Sequence, residues 1–289
     1  MDKKFLFIIN PIRSKLLKKT IEDYIINSNL FLDQDYDIKY SEYAGHSYYI
    51  TKENINNYNF FIAVGGDGTV NEVSKALVNT VKTFGIIPIG SGNGLANYLN
   101  IPRDIYKSLA KIKQKNIIKI DSCIINDKHF INLSGTGFDA YIAHQFEKTK
   151  TRGFENYILE TIKAIFNYKS FNYSIIINNT EFTEKALFIS FANSNQFGNN
   201  AIINPNAIIN DGHLELIICK PFPFYAAPAL VYRLFRKNIN KSKYIKIIKC
   251  PELIVKNNKK IFVHIDGEPG YINNDIKVEI NPKSIKVII

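Results

Sequence analysis

The sequence predicts a chain in two parts, α/β over residues 1–120 and mainly antiparallel β over residues 121–289. Three observations predict it. Apolar strand signals alternate with helical patterns in the first part, and two strands run into glycine-rich loops that open helices. From Asn116 the rhythm changes to hairpins and strands with few helices between them. At 289 residues and 46% apolar composition, the chain suits one large or two ordinary domains with proper cores.

Taken in order, Phe5–Asn10 reads as a buried strand stopped by Pro11. The basic loop Ile12-Arg13-Ser14-Lys15 and a helix from about Leu16 to Asn27 follow. Asp37–Tyr43 alternates as a second strand, and Ala44-Gly45-His46 breaks it before a helix over Ser47–Asn56. Its loop carries Ser41 and His46 and is expected beside the glycine loop that comes next; His46 also reads as a plain surface histidine. The centre of the chain is Phe60–Asn71, five apolar residues, then Gly65, Gly66, Asp67 and Gly68, then a helical pattern to about Val78. Glycines let backbone approach an anion, and the helix start offers N–H groups and a positive dipole end. A tight turn without ligand gives the same pattern. No Lys follows as in a P-loop, and Asp67 would repel phosphate, so it is expected to serve a metal ion or a hydroxyl. Phe84–Ile89 repeats the device, running into Gly90-Ser91-Gly92-Asn93-Gly94 and helices over Leu95–Leu99 and Arg103–Lys113. In a parallel sheet both loops lie at strand carboxyl ends and can share one nucleotide.

In the second part Ile117–Ile125 and His129–Leu133 form a hairpin. Strands follow at Tyr173–Ile177, Lys185–Ala192, Leu214–Lys220, Tyr244–Ile248, Leu253–Lys256, Ile261–Ile265, Ile276–Ile280 and Ser284–Ile289. Helices are expected at about Phe138–Lys148, Phe154–Tyr168 and Phe224–Lys237. Three stretches stand out. Ser134–Asp139 reads as a glycine turn into a helix. Asn210-Asp211-Gly212 is either a hairpin turn or, with the carbonyls of Ile208 and His213, a hard-oxygen corner suited to Mg²⁺. Asp266-Gly267-Glu268 ends a strand with two carboxylates, and a turn explains the first two residues but not Glu268, which can accept a proton from a substrate hydroxyl. A cleft between the two parts is the expected active site.

Net charge is +11, which favours anionic partners. No homeodomain, zinc-finger or RNA-recognition pattern appears, so nucleic acid is not expected as the partner. Phe222-Pro223-Phe224-Tyr225 with Arg233, Arg236 and Lys237 reads either as a membrane edge or as core packing. The longest apolar runs are too short for a spanning helix or a signal-peptide core. Cys123, Cys219 and Cys250 are scattered without metal-like spacing, consistent with a reduced, cytoplasmic protein. A homodimer stays open.

Gly65-Gly66-Asp67-Gly68-Thr69-Val70-Asn71, Pro88-Ile89-Gly90-Ser91-Gly92-Asn93, Asn210-Asp211-Gly212 and Asp266-Gly267-Glu268, in this order and spacing, resemble the diacylglycerol kinase catalytic-domain family. That family includes bacterial lipid kinases and sphingosine kinases. The resemblance implies an N-terminal domain like those of NAD kinases and phosphofructokinases, and a β-rich lid. It further implies ATP as phosphoryl donor, Mg²⁺ as cofactor and a lipid alcohol as acceptor, with diacylglycerol first. It places ATP against Asn10, Ser41, Gly65, Gly66, Asp67, Gly68, Thr69, Val70, Asn71, Gly90, Ser91 and Asn93, and Mg²⁺ at Ile208, Asp211 and His213. It makes Glu268 the proton acceptor, or Asp67 on the sphingosine kinase pattern. The substrate would be met at an anionic membrane surface, the protein docking there peripherally. Two departures are visible: the first loop reads Asn10-Pro11-Ile12-Arg13-Ser14 where a Ser-Gly pair is usual, and Ser91 replaces a commoner Thr while keeping the hydroxyl. A soluble NAD kinase and a non-catalytic nucleotide or lipid binder are the competing readings.

Overall fold

A computed structural model describes residues 4–10, 15–28, 30–32, 35–148, 164 and 168–289. The loop Pro11-Ile12-Arg13-Ser14 and nearly all of the helix expected over Phe154–Tyr168 lie outside the described residues. The chain divides into two compact units, the first of residues 1–120 with Lys283–Ile289 and the second of Asp121–Pro282.

The first unit is an α/β sandwich. Strands β1 (Phe5–Ile9), β2 (Tyr36–Tyr40), β3 (Phe60–Gly65) and β4 (Thr83–Pro88) make a parallel sheet in the order β2-β1-β3-β4. Every residue of β1 and β4 is buried, which explains why they read as continuous apolar runs rather than alternating ones. Burial of each large apolar side chain in such a strand contributes about 2 kcal/mol. Helices α1 (Lys15–Asn27), α2 (His46–Glu53), α3 (Asp67–Leu77), α4 (Gly94–Tyr98) and α5 (Ile105–Gln114) connect or follow the strands. Phe5, Phe7, Ile9, Ile62, Val64 and Ile87 form the centre of one core cluster, with Phe5 stacked on Phe60 at 4.7 Å. The edge position of β2 corrects one expectation: β1 separates it from β3, so the Ser41 loop is not the immediate neighbour of the first glycine loop.

The second unit is antiparallel. One sheet is ordered β12-β11-β10-β7-β14-β15, from β7 (Leu133–Gly137), β10 (Phe188–Ala192), β11 (Leu214–Cys219), β12 (Ile245–Cys250), β14 (Ile261–Ile265) and β15 (Glu268–Ile272). Against it pack β8 (Phe171–Ile177) and β13 (Glu252–Val255), with β9 (Thr180–Ala186), β5 (Ile117–Ile125), β6 (Lys128–Phe130) and the start of β16 (Ile276–Ile288). Phe130, Ile175, Phe191, Leu216, Leu253 and Val263 fill the layer between the sheets. Helices α6 (Phe138–Lys148) and α7 (Ala227–Phe235) border a second cluster that includes Phe138, Ile142, Ile217 and Leu230.

Several boundaries differ from expectation. Ser134–Gly137 is not a turn but part of the fully buried strand β7. Gly135 has a packing reason: a Cβ there would sit 2.5 Å from an Asp139 carboxylate oxygen and 2.8 Å from the Ile189 carbonyl. Lys185–Ala192 divides into β9 and β10, and the last two expected strands are the single β16. The end of β16 pairs parallel to β4, Lys286 opposite Thr83, so the last seven residues belong with the first unit.

Candidate active site

In the first unit the two glycine loops end adjacent parallel strands, with Gly65 opposite Pro88. They abut as bare backbone. A Cβ on Gly90 would lie 2.5 Å from the Gly66 Cα, and one on Gly92 would lie 2.7 Å from the Asp67 Oδ2. Gly65 makes room for the Thr69 side chain. These glycines are therefore required by the fit of loop against loop.

Asp67 is the clasp. Its Oδ2 accepts from the amide of Asn93 at 2.9 Å and its Oδ1 from that of Gly94 at 2.8 Å. The carboxylate thus acts as the anion at the start of α4, a role the sequence reading reserved for phosphate. Asn93 adopts a left-handed conformation, φ 53°, and donates from Nδ2 to the Gly90 carbonyl at 2.7 Å, closing the second loop on itself. Ser91 stands exposed on that loop, whose Ser91 and Gly92 carbonyls accept weakly from Arg103, a residue the sequence reading left unassigned.

The start of α3 is different. Gly66 is its N-cap and brings no side chain to cap it, so its first-turn amides are disposed to meet an anion. Thr69 and Val70 are buried; the Thr69 hydroxyl accepts from Asn10 Nδ2 at 3.1 Å, so these residues hold the loop rather than offer side chains to a ligand. Ser41 lies at the same carboxyl edge of the sheet, its amide donating to the Ile9 carbonyl. Its hydroxyl is buried and has no hydrogen-bond partner among the described residues, the kind of orphan that a bound nucleotide would satisfy. The start of α2 is already filled: Glu72 accepts from the amides of Gly45 at 2.6 Å and Ser47 at 3.0 Å. His46 is stacked on Tyr43 and accepts the Glu42 amide through Nδ1, an ordinary surface role.

In the second unit, Asp266-Gly267 is a hairpin turn, with φ 49° and 87° and Ile265 opposite Glu268. Asp266 is buried, and its carboxylate accepts the amides of Ile131, Asn132 and Leu133 at 2.8–3.0 Å. It is a backbone clamp, not the second member of a catalytic carboxylate pair. Glu268 opens β15 with an exposed side chain.

Asp211-Gly212 is not the tight turn of a hairpin, because β11 pairs with β10 and β12 and the strand before it, β10, ends at Ala192, far ahead of Asp211. The loop is held instead by Asp121, a fully buried carboxylate whose Oδ2 accepts the Gly212 amide at 2.7 Å and whose own amide donates to the Ile209 carbonyl. Asn193 then joins Asp121 to the Asp266 clamp by donating to the carbonyls of Asp121 and Ile131. The visible signal for Asp121 is a charge within the apolar run Ile120–Ile125, which demands a partner.

The proposed metal ligands have suitable chemistry, a carboxylate and backbone carbonyls. However, Lys249 Nζ sits 2.5 Å from Asp211 Oδ2, and the Asp211 carbonyl lies 2.9 Å from the His213 ring. A dication on Asp211 has to displace the ammonium group. Among the described residues no cluster of three or more His, Cys, Asp or Glu side chains could hold a metal. Nearby Glu215 is buried, and burial, reinforced by Asp211, pushes its carboxyl up to about 7. Elsewhere in this unit Asp139 accepts from Ser190 at 2.6 Å and lies 3.2 Å from His264 Nε2, a buried group that fixes the start of α6 to the sheet.

Known proteins resemble this chain in both of its parts. Residues 4–125 match the diacylglycerol kinase catalytic domain, and residues 133–289 match the YegS C-terminal NAD kinase beta sandwich-like domain. Proteins named probable lipid kinase YegS-like from Yersinia enterocolitica serotype O:8 / biotype 1B and Yersinia pestis (strain Pestoides F) are each 31% identical over 234 residues, 78% of this chain and 77% of theirs. A crystal structure of a Bacillus anthracis str. Sterne protein superposes with a TM-score of 0.82 at 22% identity, covering 99% of this chain and 95% of that one. A diacylglycerol kinase of the same organism gives 0.74 at 19% identity, over 99% and 96%. These two structures share the fold. No helix among the described residues is long and apolar enough to cross a membrane. With its N-terminal catalytic domain and its C-terminal β sandwich both matched, the chain belongs to the YegS-like, diacylglycerol kinase-related family of lipid kinases.

Proposed function

We propose that the chain transfers the γ-phosphoryl group of ATP to the hydroxyl of a lipid alcohol, diacylglycerol first, giving phosphatidic acid. The observation that carries this reading is the uncapped start of α3 together with the buried, unpartnered Ser41 hydroxyl at the same sheet edge, in a chain of the lipid kinase family. Phosphate oxygens would take the α3 amides, and the Ser41 hydroxyl would donate to the nucleotide. Asp67 would keep the two loops in register, which leaves Glu268 as the base. Glu268 would accept the proton as the acceptor O–H bond breaks, the new O–P bond forms in line, and ADP leaves. Mg²⁺, held by Asp211 with the carbonyls of Ile208 and His213, would supply positive charge to the phosphates. Phosphoryl transfer has a loose transition state, so positioning and charge outweigh the base. Three buried, free cysteines suit a reduced cytoplasmic setting.

Incubation of the purified protein with labelled ATP, Mg²⁺ and separate samples of diacylglycerol, sphingosine, undecaprenol and NAD tests the reading. Label in phosphatidic acid is the expected result. Label in another lipid would move the substrate but keep the class. Label only in NADP, or ATP binding without transfer to any acceptor, would overturn it.

A further inference from the structure

Helix α7 is inverted for a surface helix. Leu230 is buried, whereas Val231 is 40% exposed, Tyr232 60% and Phe235 38%. With exposed Pro228, these residues recur at three- and four-residue spacing and form one apolar stripe on the outer side. The preceding 3-10 turn Phe224–Ala226 extends it, Phe224 being 52% and Tyr225 81% exposed. Single exposed apolar residues are ordinary, but a contiguous aromatic stripe is an interaction surface.

The charge around the stripe selects its occupant. From Lys220 to Cys250 the chain has eight Lys or Arg and no Asp or Glu. Lys220, Lys246 and Lys249 pair with Glu184 or Asp211. Arg233, Arg236, Lys237, Lys241 and Lys243 have no carboxylate partner among the described residues. Arg236 donates to the Tyr232 hydroxyl at 3.1 Å, setting a cation at the rim of the aromatic stripe. A second copy on this face would set like charges against each other across a two-fold axis. An apolar, aromatic stripe flanked by unpaired cations instead matches a bilayer interface with anionic headgroups.

We propose that the Phe224–Lys243 segment is a peripheral membrane-docking surface, with α7 lying in the plane of an anionic bilayer. Tyr225, Tyr232 and Phe235 would enter the headgroup layer, and Arg236, Lys237, Lys241 and Lys243 would meet lipid phosphates. The choice of a lipid occupant rests on the lipid-kinase reading above.

The chain has no Trp, so Tyr232→Trp introduces a single reporter at the stripe. With phosphatidylglycerol-containing vesicles its emission is expected to shift to the blue and be quenched by brominated lipid, far less with pure phosphatidylcholine or at high salt. The triple variant Tyr225→Ser, Tyr232→Ser, Phe235→Ser should lose vesicle binding at least about tenfold. Replacing Arg236, Lys237, Lys241 and Lys243 by Gln should cost roughly fivefold per residue. Both sets are exposed, so the melting temperature and activity on a short-chain, water-soluble lipid alcohol should stay at wild-type values. Undiminished vesicle binding by both variants overturns the proposal. So does a reporter shift that grows with protein concentration in the absence of lipid, the mark of self-association. Docking is read without catalysis: a chain that docks but phosphorylates no lipid refutes the kinase reading alone, and one that phosphorylates soluble lipid without docking refutes this surface alone.

Discussion

Asp67 and Glu268 should fail in different ways when neutralised. In Asp67→Asn only one side-chain oxygen remains for the two amides that the carboxylate now accepts, at 2.8 and 2.9 Å. The new NH₂ group faces an N–H donor, so one charge-assisted hydrogen bond is lost and two donors oppose each other. The loss is about 2–3 kcal/mol on central values for hydrogen bonds to charged groups. At roughly 2–4 °C per kcal/mol for a chain of this order of size, the melting temperature should fall by about 4–12 °C. The second glycine loop loses its anchor to the first, so KM for ATP should rise as well as kcat fall. Glu268→Gln changes an exposed side chain, so melting temperature and KM for ATP should be unchanged while kcat drops about 10²–10⁴-fold. Both variants are measured by thermal unfolding and by steady-state kinetics with ATP varied. Asp67→Asn with a wild-type melting temperature and KM, and a loss confined to kcat, would refute the clasp and make Asp67 the base.

Gly90→Ala should abolish nucleotide binding while leaving far-UV circular dichroism unchanged, because its Cβ would press on the Gly66 backbone, which cannot yield as a side chain could; a fluorescent ATP analogue reads it. Asp266→Ala should destabilise the second unit by about 3 kcal/mol or more in calorimetry, since three buried amides lose their acceptor and the left-handed φ loses a residue that tolerates it. Glu215 sets a pH dependence. Its folded carboxyl is raised from 4.5 to about 7, so the native state holds a proton that the unfolded state has released between those values. Stability from this group is present below about 4.5 and is lost as pH rises through about 7; Glu215→Gln should flatten that decline in melting temperature against pH. Lys249→Met should raise the apparent Mg²⁺ affinity, measured by calorimetry, if Asp211 is a metal ligand, because the competing ammonium is gone.

The α/β architecture was legible because β1 and β4 are buried throughout, and β3 at all but its first residue, and they leave uninterrupted apolar runs, each followed by a helical period. The paired glycine loops were legible for the same reason, as punctuation between two clear signals. What the glycines serve was not. That Gly90 stands against Gly66, and Gly92 against Asp67, depends on β4 lying beside β3, a fact of sheet order that no local pattern carries. The same limit hid the place of β2, whose own residues are silent about the neighbour they pair with. Ser134–Gly137 was misread because glycines mark turns far more often than they mark a strand emptied to admit Asp139. Glu268 in a strand was missed because β15 is short, half exposed and contains Pro269.

Asp67 and Asp266 reveal a common logic that spacing could not. Each follows or precedes a glycine at a strand end, where a catalytic or metal-binding carboxylate is the natural reading, and each instead accepts backbone amides from a segment distant in sequence. Asp121 does the same for Gly212. A loop that must present backbone to a polyanion cannot be held by bulky side chains, since these would occupy the space the ligand needs. A carboxylate accepting two or three amides fixes such a loop from behind at a strength that neutral hydrogen bonds do not reach. On the reading proposed above, the chemistry falls to the start of α3, the Ser41 hydroxyl and the exposed Glu268. On this argument, replacing a clamp should alter nucleotide affinity and stability together, whereas replacing Glu268 should alter turnover alone, and the two classes should separate on a plot of KM for ATP against melting temperature.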